Sequence, residues 1–439
     1  MPYNQDKNNK QERNYQNNHR NIHDEIIETE AWDIEGSNED KTEDTEWQNF
    51  NYDFKSKTKA KSPVNLKFIF ERKIITVPMV IIILLSAFSV IVWLISAQSP
   101  KVADFFTDNV SFAMRFILTS LTSYIPFSVA ELLLYISVPA AIYLSARFIY
   151  RIASSKNEKI ITALKGLTRC IAFLCGLIFI FNFTFSVCYS ATPINEKMGF
   201  DRRLIKPDDL AAAMEILITQ ANKTARNIEY AYITGSTAMP YNINELNIKL
   251  NEAYTDLLNR HNITKQIKAR VKPVILSVQM SKMHITGIYS PFTGEANVNV
   301  DFPDFNLPFT AAHEMSHLMG IAREDEANFT AFLVCLYSDD NYIRYSGLVN
   351  IIRYLQNPLY QADEDKYFEL MDYLNPIIIR EMTAYREFFN KYRDTQISQI
   401  ASTVNDTYLK VQRQEAGEKS YGLVVDLATI YILEIYDFD

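Results

Sequence analysis

Between Ile74 and Ala97 the chain runs for about 24 residues without a formal charge, and roughly 20 apolar residues suffice to cross the hydrocarbon of a bilayer. A segment of that kind satisfies its backbone in lipid only as a helix. Two further apolar stretches come later, at about 126–146 and 170–189, and Glu131 is the single formal charge in either. An ionisable group is costly in hydrocarbon, so Glu131 is expected near the interface or against another helix. The sequence therefore predicts a chain with three transmembrane helices, at about 74–97, 126–146 and 170–189.

The flanks predict its orientation. Lys55, Lys57, Lys59, Lys61, Lys67, Arg72 and Lys73 precede the first span, whereas the connection after it carries only Lys101 and Arg115. Arg147, Arg151, Lys156, Lys159, Lys165 and Arg169 fill the next connection. Basic residues concentrate on the cytoplasmic side, so the N-terminus is expected inside and everything beyond about residue 190 outside.

Charge elsewhere is nearly balanced. Residues 1–54 hold 5 Lys/Arg against 14 Asp/Glu, and the other 385 residues hold 39 against 38. No folded-looking segment has the clustered Lys/Arg surplus that phosphate recognition requires, which argues against a nucleic-acid partner. Residues 1–62 are too polar to offset chain entropy by burial and read as a disordered acidic cytoplasmic tail, with a cytoplasmic partner as one use for it. Three of the four cysteines fall in the third apolar run, so neither a disulfide framework nor a Cys-based zinc site is expected.

The portion 191–439 is mostly helical in pattern, with apolar residues three and four apart. The exception is 294–300, where polar and apolar residues alternate as in a half-exposed strand. The fold class expected is mainly α: a membrane domain over 63–190, then a mostly helical extracytoplasmic domain with a small β edge.

The stretch 307–335, LPFTAAHEMSHLMGIAREDEANFTAFLVC, contains His-Glu-x-x-His. Random placement gives that pattern on the order of 0.005 times per chain of this composition. Pro308 suits a helix's first turn and Gly320 a left-handed stop, so His313, Glu314 and His317 share one short helix. At i and i+4 the imidazoles project from one face and can grip one zinc ion. Glu314 beside them can act as general base and then general acid. A third ligand is expected from the acidic trio Glu324, Asp325 and Glu326, with Glu324 preferred, Glu326 the rival, and Asn328 one turn on as a hydrogen-bonding support.

The runs GIYSPFTGEANVNV at 287–300, LPFTAAHEMSHLMGIAREDEANFTAFLVC at 307–335, RYSG at 344–347 and IPFS at 125–128 together resemble a membrane family known as domain of unknown function 3810, over about 70–439. The resemblance implies a zincin-like fold with a catalytic Zn²⁺ ion. Glu-x-x-Ala-Asn at 324–328 is similar to the Glu-containing element of many HExxH peptidases, which supports Glu324. The short gap after His317 also resembles the compact metzincin arrangement, with Gly320 in the glycine position and Arg323 where a third histidine would stand.

Two expectations concern substrate. An extended peptide pairs with an edge strand, for which Ala296–Val300 is the candidate. A phenol or imidazole must steady the oxyanion, and Tyr345 and Tyr289 are the options in the resembling segments. The function expected is a membrane-anchored zinc metallopeptidase acting on a peptide or protein, with lipid as its other partner. The alternative is a non-catalytic membrane receptor or scaffold with a structural metal site.

Overall fold

The computed structural model of the protein describes residues 66–230, 236–393 and 395–436. The acidic tail assigned to 1–62 lies outside the described residues. Most of the described chain is helix, interrupted by one three-stranded sheet.

Three helices are long and apolar enough to cross a membrane: α1, Val77–Ser96; α3, Val129–Ser154; and α4, Lys159–Thr184, with α2, Phe112–Ser123, between the first two. Helix α1 lies against α4, where Asn182 donates to Ser89 Oγ at 3.2 Å. Helix α3 keeps Pro139 in its interior, which a membrane helix tolerates. The apolar runs locate hydrocarbon rather than helix ends. Helix α3 continues past the expected residue 146 through Arg147 and Arg151, and α4 begins at Lys159 rather than 170; long basic side chains extend a helix beyond the apolar layer by snorkelling. Helix α4 stops at Thr184 rather than 189, because Ser186–Ser190 tightens into a buried 3₁₀ turn.

The connection from α1 to α2 is also helical and includes a π turn, Phe106–Ser111. Arg115 on α2 is fully buried. Its guanidinium donates to Ser111 Oγ at 2.7 Å, and to the carbonyls of Thr184, Thr107 and Met319 at 3.3 to 3.4 Å. One side chain thus joins the end of α4 to the turn after the His-Glu-x-x-His helix. The boundary expected near residue 190 falls inside a single compact unit.

Beyond α4 come α5, Pro207–Ala225, and α6, Ile243–Arg260, and then the sheet. The central helices are α7, Leu307–Leu318, and α8, Glu324–Leu336, every residue of which is buried. Helices α9, Asn341–Ala362; α10, Pro376–Asn390; α11, Gln396–Val411; and α12, Val424–Glu434 complete the chain.

Strands β1, Lys272–Pro273; β2, Gly287–Ser290; and β3, Glu295–Val298 are ordered β1-β3-β2. Strand β3 is therefore central, parallel to β1 and antiparallel to β2 with Tyr289 opposite Ala296. This corrects the edge expected at Ala296–Val300: among the described strands, the edge on the α7 side is β2. The alternation there did not mean a solvated face. Glu295, Asn297 and Asn299 are all buried and find partners: Asn297 Nδ2 donates to Ile288 O, and Asn299 Nδ2 to Ile285 O.

Glu295 also ties the sheet to the membrane helices. Its carboxylate accepts the Val129 and Ala130 backbone N–H groups at 3.0 and 2.8 Å and pairs with buried Lys272 at 2.5 Å. Glu131 answers in the opposite direction, accepting from the Ile275 and Leu276 amides at 3.0 and 2.7 Å. The start of α3 and the sheet are held by a reciprocal pair of carboxylate clasps, each at unpaired amides that suit an anion.

Candidate metal centre

Helix α7 begins as expected, with Pro308 in its first turn. It ends in a Schellman turn: Gly320 N–H donates to His317 O at 3.0 Å and Ile321 N–H to Ser316 O at 3.1 Å, with Gly320 at φ +93°. That geometry favours glycine, and a Cβ at Gly320 would also come within 2.5 Å of the Arg115 guanidinium. The turn carries the Ile321 carbonyl back to His317, whose Nδ1 donates to it at 2.8 Å. His317 is thereby fixed with Nε2 as the free donor atom.

His317 Nε2 lies 3.0 Å from His313 Nε2. The turn then releases α8, whose first residue, Glu324, sets Oε2 at 3.3 Å from His313 Nε2 and 3.4 Å from His317 Nε2. Two ligands bound to zinc at about 2.0–2.1 Å in tetrahedral geometry stand roughly 3.3–3.4 Å apart. Glu324 Oε2 stands at that spacing from both imidazoles while the two Nε2 atoms lie closer together, and these atoms are those of the one metal-competent group found among the described residues. Glu324 Oε2 is buried without a hydrogen-bond partner, as an oxygen reserved for a cation would be. The donor set fits Zn²⁺.

Electrostatics agree with a shared positive charge. Burial would raise the Glu324 carboxyl, but His317 and His313 hold it down at about 2. Burial would lower His317, but Glu324 and Glu314 lift it to about 9. Glu314 behaves differently: burial raises it to about 7 against the pull of both histidines. A carboxyl near neutrality is suited to taking and returning a proton. Strand β2 reaches Glu314 closely, since a Cβ at Gly287 would lie 2.5 Å from its Oε1, and the Tyr289 backbone hydrogen-bonds its carboxylate.

The rest of the acidic trio is engaged elsewhere. Asp325 pairs with Arg202 at 2.6 Å; Glu326 accepts from Arg323 at 2.7 Å and from the Ile194 amide at 3.0 Å. Glu326 therefore stands outside the cluster. Arg323 donates to the Tyr189 and Ala191 carbonyls. Asn328, expected to support a ligand, instead donates to the Tyr421 carbonyl at 3.2 Å.

The two tyrosines singled out in sequence part company. Tyr345 is fully buried with Glu381, Tyr230 and Tyr342 as its charged and phenolic neighbours, and no described interaction links it to His313, His317 or Glu324. Tyr289 sits beside Glu314 through its backbone, while its ring lies 5.1 Å from that of Phe185. Four other tyrosines feel the Glu324 charge, Tyr189, Tyr354, Tyr408 and Tyr421. Tyr189 and Tyr408 share a 3.2 Å contact between hydroxyls, and the Tyr421 ring stacks 6.4 Å from His313. Burial first, and Glu324 with it, pushes all four phenols up; Tyr421 also feels Glu314. Phe185, the residue directly after α4, meets His317 edge to face at 5.5 Å.

The family described as Protein of unknown function (DUF3810) matches residues 106–429. The chain belongs to this family. The match begins after α1, short of the 70–439 that the motifs alone suggested, and so places the π turn, α2 and the whole metal cluster within the DUF3810 region while leaving the first apolar helix outside it. No curated protein and no solved structure matches the chain.

Proposed function

We propose that the protein is a membrane-anchored, zinc-dependent hydrolase that cleaves peptide or related amide bonds outside the cytoplasmic membrane. What supports this most is the convergence of His313 Nε2, His317 Nε2 and Glu324 Oε2 within 3.0 to 3.4 Å of one another, with the Glu314 carboxyl next to them. Zinc held there would supply a Lewis acid and an acidified water. Glu314 takes the proton of the attacking water and returns it to the leaving amine. Tyr421, whose ring stacks 6.4 Å from His313 and whose phenol feels the charges of Glu324 and Glu314, is our candidate for the donor to the developing oxyanion. The free edge of β2 offers main-chain groups to an extended substrate.

The outward orientation draws support from the basic flanks, and the alternation of the crossings from the placing of three helix ends on one side. The end of α1, the start of α3 and the end of α4 all meet the globular part, as three alternating crossings require.

A structural metal site in a non-catalytic receptor would close its coordination with a fourth protein ligand. Three donors converge among the described residues, which leaves a position for water. The test uses the full chain in detergent. Glu314→Gln should keep stoichiometric zinc and lose hydrolysis of a peptide library, whereas His317→Ala should lose the zinc. Purified wild type without zinc at neutral pH, or a Glu314→Gln protein that still cleaves, would sink the assignment.

A further inference from the structure

Among the described residues, helix α11 is covered along only one side. Ser402, Asn405 and Asp406 engage Glu418 of the next turn, and Leu409 is buried. The opposite side carries Ile397, Ile400, Val404 and Val411, each more than half exposed. At about 100° per residue these four fall within about 60° of one another, which makes an apolar stripe from the first turn of the helix to its last residue, interrupted by Thr407.

The surroundings of α11 say what covers the stripe. In its last turn and just beyond, α11 runs onto the membrane helices: Arg413 lies 4.4 Å over the Trp93 ring of α1, and the Tyr408 ring is 6.2 Å from Phe181 of α4. Gln412 accepts from Ser186 at 2.6 Å. Trp93 and Phe181 each stand three residues inside the ends of their helices, Ser96 and Thr184. That is the depth where an apolar span passes into headgroups and where tryptophan collects. Phe292, itself exposed, stacks on Phe181 at 6.3 Å, so the apolar surface of the spans continues without a break onto the globular part.

We propose that α11 is an interfacial helix whose Ile397, Ile400, Val404 and Val411 stripe is seated in the headgroup and acyl boundary of the bilayer that α1, α3 and α4 cross. An amphipathic helix with one polar side packed on protein and one apolar side adjoining membrane spans has the form that lies in the interface plane. The inference stands whether or not the metal cluster is occupied.

The full chain is reconstituted in phosphatidylcholine vesicles brominated near the top of the acyl chains. Ile400→Trp and Gln399→Trp place an indole at one level of α11 on two faces. Both native side chains are exposed, so neither change disturbs a core. After subtraction of the native tryptophan signal, the Ile400→Trp indole should be blue-shifted and quenched several-fold more than the Gln399→Trp indole. Equal quenching of the two overturns the proposal. So does an unquenched Ile400→Trp accompanied by oxidative cross-linking of Val404→Cys chains, with a band absent from wild type, because a second copy would then cover the stripe.

Discussion

If the proposed hydrolase reading holds, Tyr421 and Tyr345 should differ in their effect on catalysis. Loss of one preorganised oxyanion donor costs about 10²–10³ in kcat, so Tyr421→Phe should lower kcat by that order with zinc content unchanged. Tyr345→Phe should leave kcat within a few-fold, because its hydroxyl lies with Glu381 rather than with the cluster. Steady-state kinetics beside metal analysis decides between them. The difference was not visible in sequence. His313, His317 and Glu324 were legible because one turn and one glycine stop bring them together within a dozen residues. Tyr189, Tyr408 and Tyr421 come from three distant places, and nothing in their local patterns marks them.

Glu381 supplies a second residue-scale prediction. It is fully buried, accepts from the Thr237 amide at 2.6 Å, and is raised by burial to about 7. The unfolded group titrates near 4.3. Between these values the folded state binds more protons than the unfolded one, so stability falls as pH rises from about 4.3 to about 7 and this contribution is flat above. The loss is on the order of 3–4 kcal/mol. Glu381→Gln keeps the acceptor and removes the titration, so its stability advantage over wild type should be present at pH 8 and absent near pH 4, read from thermal unfolding in detergent.

At the scale of elements, the turn from α7 to α8 is the part on which the cluster depends. Gly320→Ala forces a Cβ into the left-handed region, at about 1–2 kcal/mol, and against Arg115. It should lower stability by at least that amount. It should also weaken zinc binding, because the Ile321 carbonyl that orients His317 moves with the turn; competition with a chelator reads the second effect. Gly320 was readable as a stop, but its contact with Arg115 was not, since that residue lies far earlier in the chain, in an apparent loop. The strand was misread for a related reason. Alternation reports which side chains are polar, whereas burial of Glu295, Asn297 and Asn299 depends on partners from β1, β2, α3 and the stretch 281–285 that no local pattern contains.

For the whole molecule, the clasps at Glu295 and Glu131 make the membrane helices part of the folded unit. Glu295→Ala would strand the buried Lys272 ammonium and free two amides of α3. Breaking one partner of a buried pair costs about 3–5 kcal/mol, and thermal unfolding in detergent should show a loss of that size. Glu295→Gln, which keeps an acceptor for the amides, should lose less.

Arg115 bears on how the protein is made. Synthesis runs from the N-terminus, and the segment that holds this guanidinium is complete well before the His-Glu-x-x-His helix leaves the ribosome. The platform on which α7 closes is thus already in place when α7 emerges. A chain started after residue 190 would reach the same turn with no arginine to receive it, so a fragment without the first helices is a poor route to this centre.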